Sequence, residues 1–547
     1  MSKTIRLLPP ALSLLIWLAA CQEAPEKEIP AAGPAPPAIV SGPVAGDALV
    51  EASLGEASNL IPALASDTAS FEVIERVYDG LVKLDKDLAL APALAESWEF
   101  SEDRKTLTFK LRPGVRWHDG APFTAADALF TYELMVDPNT PTAYANSFQQ
   151  IEKAEAVDDL TFRVTYKRPL AKALSSWSFA IMPAHLLKSR PLETSSLARR
   201  PIGTGPYKLE TWEAGQRVIL TANDDYFEGR PHLDRVIIKI IPDLNAQMME
   251  LLAGHIDTMG LTPDQYEEKS AAADFKAAYN VFRYPAFSYG YLGFNLEKPL
   301  FQDKRVRRAL AYAIDKKEIV DGVLLGLGRV ANGPFKPDMW ANNRNVEPYP
   351  FDQARARALL AEAGWADTDG DGLLDKAGRP FRFTIVTNQG NKIREQAATI
   401  IQARLREIGV EVDIRVIEWA AFLKEYLDRH NFDALVMGWT IPTDPDMYDI
   451  WHSSKNRAGE LNFISYKNEE VDRLVDEARF ILDQAERKKA YDRVQEILHD
   501  DAPYVFLYVP DSLPTVSRRF VGPEVGPGGL GHNFNQWYVP LADQNYR

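Results

Sequence analysis

Cysteine is almost absent from this 547-residue chain: Cys21 is the only one. With Cys21 committed elsewhere, no thiol remains for a disulfide, a redox pair or a cysteine nucleophile. Histidine is scarce at eight residues, which leaves few candidates for a transition-metal cluster. Positive charge is in deficit, 62 Lys and Arg against 77 Asp and Glu. The net charge of −15 argues against nucleic acid or an anionic membrane surface as partner. No HExxH, GxSxG, CxxC or Walker pattern occurs, so the signatures of metalloprotease, serine hydrolase, dithiol and P-loop chemistry are missing. No apolar run is long enough to cross a bilayer as a ~20-residue helix.

The single cysteine sits at an informative place. Lys3 and Arg6 precede an apolar run from Leu7 to Ala20, and Leu18-Ala19-Ala20-Cys21 sets small residues before the thiol. A basic head, a short apolar stretch and small residues read as a secretory signal over 1–20, cut before Cys21. The motif resembles the lipobox of bacterial lipoproteins, which makes Cys21 the lipidation site. A diacylglycerol and an N-acyl chain bury many methylenes at ~0.8 kcal/mol each, enough for stable anchoring. Residues 21–46, rich in Pro and Ala as in Pro34-Ala35-Pro36-Pro37, read as a semi-extended tether. At ~3.1 Å per residue it reaches up to ~80 Å from the membrane. The expectation is an exported protein on the periplasmic or cell-surface side of a bacterial membrane, touching that membrane only through its lipid. Gln22 is not the Asp that, by resemblance to Gram-negative lipoproteins, favours inner-membrane retention, so the choice of membrane stays open.

The body has ordinary globular composition, 46% hydrophobic and 25% charged, and room for roughly three modules of ~150 residues. Leu107, Phe109 and Leu111 alternate with polar residues, as do Phe162, Val164 and Tyr166, and both predict half-buried strands. Thr124-Ala125-Ala126-Asp127 starts a helix with a capping box, with Ala126, Phe130 and Leu134 at helical spacing. Val236 to Ile241 predicts a strand covered on both faces. Further on, a strand at Phe383 to Thr387 is followed by a helix carrying Ile393, Ala397, Ile401, Leu405 and Ile408, stopped by Gly409. A strand with Val410, Val412, Ile414 and Val416, a helix over Ala420 to Asp428, and a strand at Ala434 to Met437 complete a β-α-β-α-β unit with parallel strands.

Open α/β sheets bind ligands beyond the carboxyl ends of their strands. Those ends carry Asn388, Gln389 and Asn391, then Glu418 and Trp419, then Trp439 to Asp446. Three polar or Trp-bearing tips at one edge suit a ligand cleft.

Asp367, Asp369, Asp371 and Asp375 stand at positions 1, 3, 5 and 9 of a loop with Gly372 at 6, the spacing that turns oxygens toward a hard cation. Gly378 takes the twelfth position, where a full EF-hand has a bidentate Glu. The loop reads either as a weak structural calcium site or as a metal-free Asp/Gly turn. No cofactor is required by anything in the sequence. Gly526 to Gly531 fits GxGxxG but lies in a Pro/Gly turn with no βαβ unit, so no dinucleotide site is assigned. Trp117-His118-Asp119-Gly120 reads as a turn.

Several blocks in order resemble the extracellular solute-binding proteins of family 5, the dipeptide, oligopeptide and nickel receptors of ABC importers. They run from Leu94-Ala95-Glu96-Ser97-Trp98 through Phe109-Lys110-Leu111-Arg112 and Trp117-His118-Asp119-Gly120 to Phe123-Thr124-Ala125-Ala126-Asp127. Pro201-Ile202-Gly203-Thr204-Gly205-Pro206-Tyr207, Leu252 to Asp257, Gly293-Phe294-Asn295, Val306 to Leu310 and Ala313-Ile314-Asp315 follow. The resemblance implies an α/β fold of two lobes, of the class II binding-protein type, joined by hinge strands. The first lobe spans 47–283 with an inserted subdomain at about 86–195, the second 284–505, and 506–547 returns to the first. It implies a monomer that closes on a peptide or peptide-like solute and delivers it to an ABC permease, with no bond made or broken. Peptide binders of the class carry an acid soon after the Trp matched here by Trp439, but Thr440-Ile441-Pro442-Thr443 fills that stretch. If an α-amine binds, Asp444, Asp446 or Glu418 must pair it, and Asp444-Pro445 reads equally as a helix start. The same fold with a nickel chelate, an oligosaccharide or a haem-like cargo is the nearest rival. A secreted hydrolase and a calcium-stabilised surface lipoprotein are more distant ones.

Overall fold

A computed structural model describes residues 42–188 and 192–546. The signal, Cys21 and most of the tether lie outside the described residues. Among those described, no helix is long and apolar enough to cross a membrane.

Two seven-stranded sheets organise the chain. The first runs in the order Tyr279–Val281, Pro514–Ser517, Thr258–Gly260, Ala48–Ser53, Arg235–Ile240, Arg217–Ala222, Tyr207–Glu213. The second runs Tyr284–Pro285, Tyr504–Ser512, Ser288–Phe294, Ala434–Thr440, Arg382–Asn388, Glu411–Ile417, with Gly328–Val330 paired to Tyr504–Ser512. Each sheet is the centre of one lobe. Two stretches of chain join them side by side, one between Val281 and Tyr284 and the other between Ser512 and Pro514, so the second lobe runs to Ser512 and not to the expected 505, because the whole Tyr504–Ser512 strand pairs within its sheet. Backbone hydrogen bonds from Phe282 to Pro514 (2.9 Å) and from Ala286 to Pro510 (3.0 Å) pair the two crossings into a two-strand hinge.

A separate four-stranded antiparallel sheet, Ala95–Phe100, Thr106–Leu111, Thr161–Tyr166 and Ile151–Asp158, forms an added domain on the first lobe. The strands expected from Leu107, Phe109, Leu111 and from Phe162, Val164, Tyr166 are both here, with all six side chains buried. Trp177 fills the space over them, 4.8 Å from the Phe162 ring and 5.8 Å from Phe109, centroid to centroid. Truncating such a ring to Ala costs about 3–5 kcal/mol.

The helix Ala125–Val136 starts with the expected capping box, the Thr124 hydroxyl accepting from Ala126 N and the Asp127 carboxylate from Thr124 N. Its buried face is offset from the one read in the sequence. Ala126 is exposed and Leu134 half-buried, while Ala125, Ala128, Phe130 and Met135 face the core. Asp127 itself is buried, because it also accepts from Ala184 N, which rotates the face toward it. The Arg235–Ile240 strand is covered on both sides as expected: Val236 and Ile238 join one cluster, and Ile237 and Ile241 pack against another.

Glycines 203 and 205 let the Pro201–Tyr207 motif press on the end of the Thr68–Val77 helix, since a Cβ at Gly203 would meet Val77 O at 1.8 Å. His118 is clasped between them, accepting from Gly203 N (3.2 Å) and facing Gly205 O (3.0 Å). Burial pushes its pKa down to about 4 against that carbonyl contact, so it is a neutral tie between two motifs.

The start of the body is fastened to its end. Arg519 pairs with Asp47 and forks onto Asp257 through two 2.8 Å hydrogen bonds, and Asn545 N and Tyr546 N donate to the Asp47 carboxylate.

Candidate ligand cleft between the lobes

The β-α-β-α-β reading of the second lobe holds. Arg382–Asn388 pairs in parallel with both Glu411–Ile417 and Ala434–Thr440, and the Lys392–Arg406 helix ends before Gly409, whose φ of +80° suits only glycine readily. The segment after Trp419 is helical as expected, but Phe422–Leu427 is a wider π turn. The three strand tips therefore share one edge.

That edge faces the first lobe. Gly390, just past Asn388, approaches so closely that a Cβ would lie 2.3 Å from Pro242 O. Gly55, just past the Ala48–Ser53 strand, would place a Cβ 3.0 Å from the Trp419 ring. Pro242 follows Arg235–Ile240, parallel to Ala48–Ser53. The carboxyl ends of parallel strands in both lobes thus meet, which is where ligands bind in such sheets.

At the first tip Asn388 is buried, and its Oδ1 accepts from Arg394 Nη1 at 2.7 Å. Gln389 is exposed. Arg394 was not evident as a site residue in the sequence. It pairs with no carboxylate among the described residues, and Gly438 makes room for it, as a Cβ there would stand 3.2 Å from Nη2. Burial pulls its pKa down, opposed by the neighbouring Tyr508 and Tyr291 hydroxyls. Its position one helical turn past Asn391, which caps that helix, is the only sequence signal that could have found it.

At the second tip Glu418 is exposed and caps its own helix, accepting from Ala420 N and Ala421 N at 3.0 Å each. Trp419 stacks on Phe422 with centroids 6.1 Å apart. At the third, Trp439 stacks on Phe463 (5.5 Å, 25°).

The two Asp residues beyond Trp439 are engaged within the protein. Asp444 accepts two hydrogen bonds from Arg487, at 2.6 and 2.9 Å. It caps nothing, because the following helix is Tyr448–Trp451; the reading of Asp444-Pro445 as a helix start fails since Arg487 captures the carboxylate first. Asp446 lies 2.8 Å from Lys172 of the added domain and accepts from Tyr448 N.

The first lobe supplies an acid of its own. Glu72 lies on the Thr68–Val77 helix near Ser53, the end of the Ala48–Ser53 strand. Burial, helped by Glu51, pushes its pKa up to about 7, against Ser53 and Arg76.

Asp367, Asp369 and Asp371 each bring a carboxylate oxygen within 4.8 Å of the others, all exposed. Asp375 is separate: it accepts from Thr368 N and Oγ1 and opens a small hairpin, Asp375–Lys376 with Arg379–Pro380, whose turn contains Gly378. Gly526 and Gly529 bond each other's backbone in a turn.

Residues 89–460 match the family model of the bacterial extracellular solute-binding proteins, family 5, middle part. The chain belongs to this family. Among family 5 solute-binding proteins it is 36% identical, over 91% of its length and 92% of the relative's, to oligopeptide-binding protein AppA of Bacillus subtilis (strain 168). It is 32% identical to heme-binding protein A of Haemophilus influenzae, covering 81% of this chain and 84% of that one. Its fold superposes on that of the B. subtilis AppA in complex with a nonapeptide, with a TM-score of 0.86 over 91% of this chain and 99% of the other. NikZ of Campylobacter jejuni in complex with Ni(L-His) is also similar, at TM-score 0.83 and 30% identity over 90% and 99% of the two chains. The two-lobed fold expected from the sequence is thus the family 5 fold.

Proposed function

We propose that this family 5 protein is the receptor of an ABC importer, capturing a peptide or peptide-like solute between its lobes and passing it unaltered to a permease. The observation that carries this reading is the cleft edge itself. Two sets of strand ends face each other there, with Trp419 and Trp439 as apolar surfaces and Arg394 as a guanidinium without an acid among the described residues. A few fixed polar groups among aromatic walls suit a solute with a carboxylate and apolar side chains. The likeness to an oligopeptide-binding protein over nine-tenths of the chain supports the same reading. Cys21 carries the lipid, the tether keeps receptor and permease at high effective concentration on the outer side of the membrane, and the receptor acts as a monomer. It makes and breaks no bond. A calcium ion at Asp367, Asp369 and Asp371 would be structural and weak, since three exposed carboxylates supply few ligands.

Mass spectrometry of solute released from gently purified protein tests the cargo. Recovered peptides support the proposal; sugars or metal chelates without peptides overturn it.

One observation favours a second reading. Asp444, Asp446 and Glu418, the acids available to an α-ammonium in the second lobe, are all engaged within the protein. A cargo without a free amine fits that arrangement, and relatives named for haem and seen with a nickel complex belong to the same fold. The same mass spectrum separates the two.

A further inference from the structure

The lobes also meet along a seam that begins at the far end of the third tip, at Asp446. Ala171 N donates to Arg479 O (2.7 Å), Arg479 Nη2 donates to Asn146 O (3.1 Å), and the Arg168 guanidinium lies 4.0 Å from the Phe480 ring centroid. Asn146, Arg168 and Ala171 belong to the added domain; Arg479 and Phe480 end a helix of the second lobe. Inside this seam lies a cluster of buried charges.

Lys172 Nζ stands 2.8 Å from Asp446 Oδ2, their side chains only 16% and 6% exposed. Arg479 Nε is 3.5 Å from the same oxygen, and Asp449 is 3.7 Å from Lys455, which also holds Glu460 at 3.2 Å. Of these cations only Lys172 comes from the first lobe. Its backbone is fixed for the task, the Lys172 carbonyl accepting from Ser176 N at 2.9 Å and Ser176 Oγ at 2.7 Å.

Charge counting shows what Lys172 does. Lys455 and Glu460 balance each other. Arg487 and Asp444 beside them do the same, and Asp476, 3.9 Å from Arg479, is half-exposed and solvated; among the remaining buried charges Lys172 and Arg479 balance Asp446 and Asp449. Withdraw Lys172, as opening the lobes must, and the second lobe is left with one uncompensated carboxylate. An unpaired charge in such a site is costly, so the pocket demands a cation. Burial pushes the Asp446 carboxyl up, yet Lys172 and Arg479 outweigh it and hold its pKa down to about 2. Burial raises the Asp449 pKa, with Asp446 adding to it.

We propose that Lys172 is a specificity-determining residue, whose ammonium occupies Asp446 from the opposite lobe, with Asp449 nearby, in place of a cationic group on the cargo and latches the lobes together. The inference rests on the reading of this protein as a two-lobed receptor that closes on its solute. It adds that closure needs no ammonium from the cargo at this pocket, and that a cargo cation there is excluded.

Small-angle scattering of the whole chain without added solute tests the latch. The wild type is compact. Lys172→Met, which keeps the apolar stem, gives a larger radius of gyration. Ethylammonium chloride brings that variant back toward the wild-type value, where sodium chloride at equal ionic strength does not. Asp446→Asn also expands the protein, and ethylammonium fails to restore it. Far-UV circular dichroism and a cooperative melt show that each variant is folded, and Asp446→Asn stands as the test if Lys172→Met is not. Scattering from folded variants that superposes on the wild type, or equal effects of the two salts, overturns the proposal. The measurement involves no cargo, so its failure leaves the peptide reading standing, and a failed peptide reading leaves the latch standing.

Discussion

The Trp439 indole nitrogen donates to the Tyr504 hydroxyl at 3.3 Å, and the Tyr504 ring lies stacked on Tyr291 at 4.0 Å. Trp439 is thereby fixed to the strand that forms one side of the hinge, Tyr504–Ser512. The aromatic surface at the tip is positioned by the same strand that leads into the hinge at Ser512.

Replacing Trp439 by Ala removes the stack on Phe463 and the hydrogen bond to Tyr504. Because the ring is half-buried, stability falls by about 2 kcal/mol, below the cost of a fully buried Trp. Affinity for the peptides recovered from wild-type protein falls at least about tenfold. Calorimetric titration showing unchanged affinity moves the site elsewhere.

Arg394→Gln keeps a hydrogen-bond donor near Asn388 and removes the charge. A charged hydrogen bond contributes about 1.5–3 kcal/mol, so affinity for a carboxylate-bearing solute drops roughly ten- to hundredfold. The matching amide solute loses little. Equal loss for both solutes assigns Arg394 a purely structural role.

Asp444→Asn leaves the Arg487 guanidinium, with only 6% of its side chain exposed, short of its partner charge. The urea midpoint should fall by the equivalent of about 2 kcal/mol, with solute affinity unchanged. Lost affinity at unchanged stability would instead make Asp444 the amine-binding acid.

The raised pKa of Glu72 makes stability depend on pH. Its contribution is fully present below the ordinary carboxylate pKa near 4.5 and is lost as pH rises through about 7, since the folded state holds the proton more tightly. Glu72→Gln should match the wild-type melting temperature near pH 4.5 and exceed it by roughly 2 °C at pH 8. Parallel melting curves across this range would refute the assignment.

Asp369→Ala addresses the acidic loop. If the loop holds calcium, the substitution lowers the melting temperature only when calcium is present. An equal drop in chelator means that Asp369 serves the turn alone, through its bond from Asp371 N.

Much of the fold was legible because its signals are local. Alternation marked the strands of Leu107 to Leu111 and Phe162 to Tyr166, and helical spacing with Gly409 marked the helix at Lys392–Arg406. The three tips could be placed at one edge because parallel strands obey a simple rule. What decides the chemistry of that edge is not local. Arg487 takes Asp444 from 43 residues away, and Lys172 reaches Asp446 from the other lobe. No spacing in the sequence encodes those distances. Arg394 was hidden for the opposite reason: it is one more arginine on an ordinary amphipathic helix until Gly438 is seen to clear a place for it.

The knot of Asp47, Arg519 and Asp257 bears on which half of the protein resists a pull on its first strand. Asp47 lies immediately before the Ala48–Ser53 strand and is gripped by Arg519 and by the backbone of Asn545 and Tyr546. A pull applied at Asp47 is thus borne by the first lobe, whose earliest and latest strands it clamps together. The second lobe receives such a load only through its two connecting strands and the seam at Lys172 and Arg479.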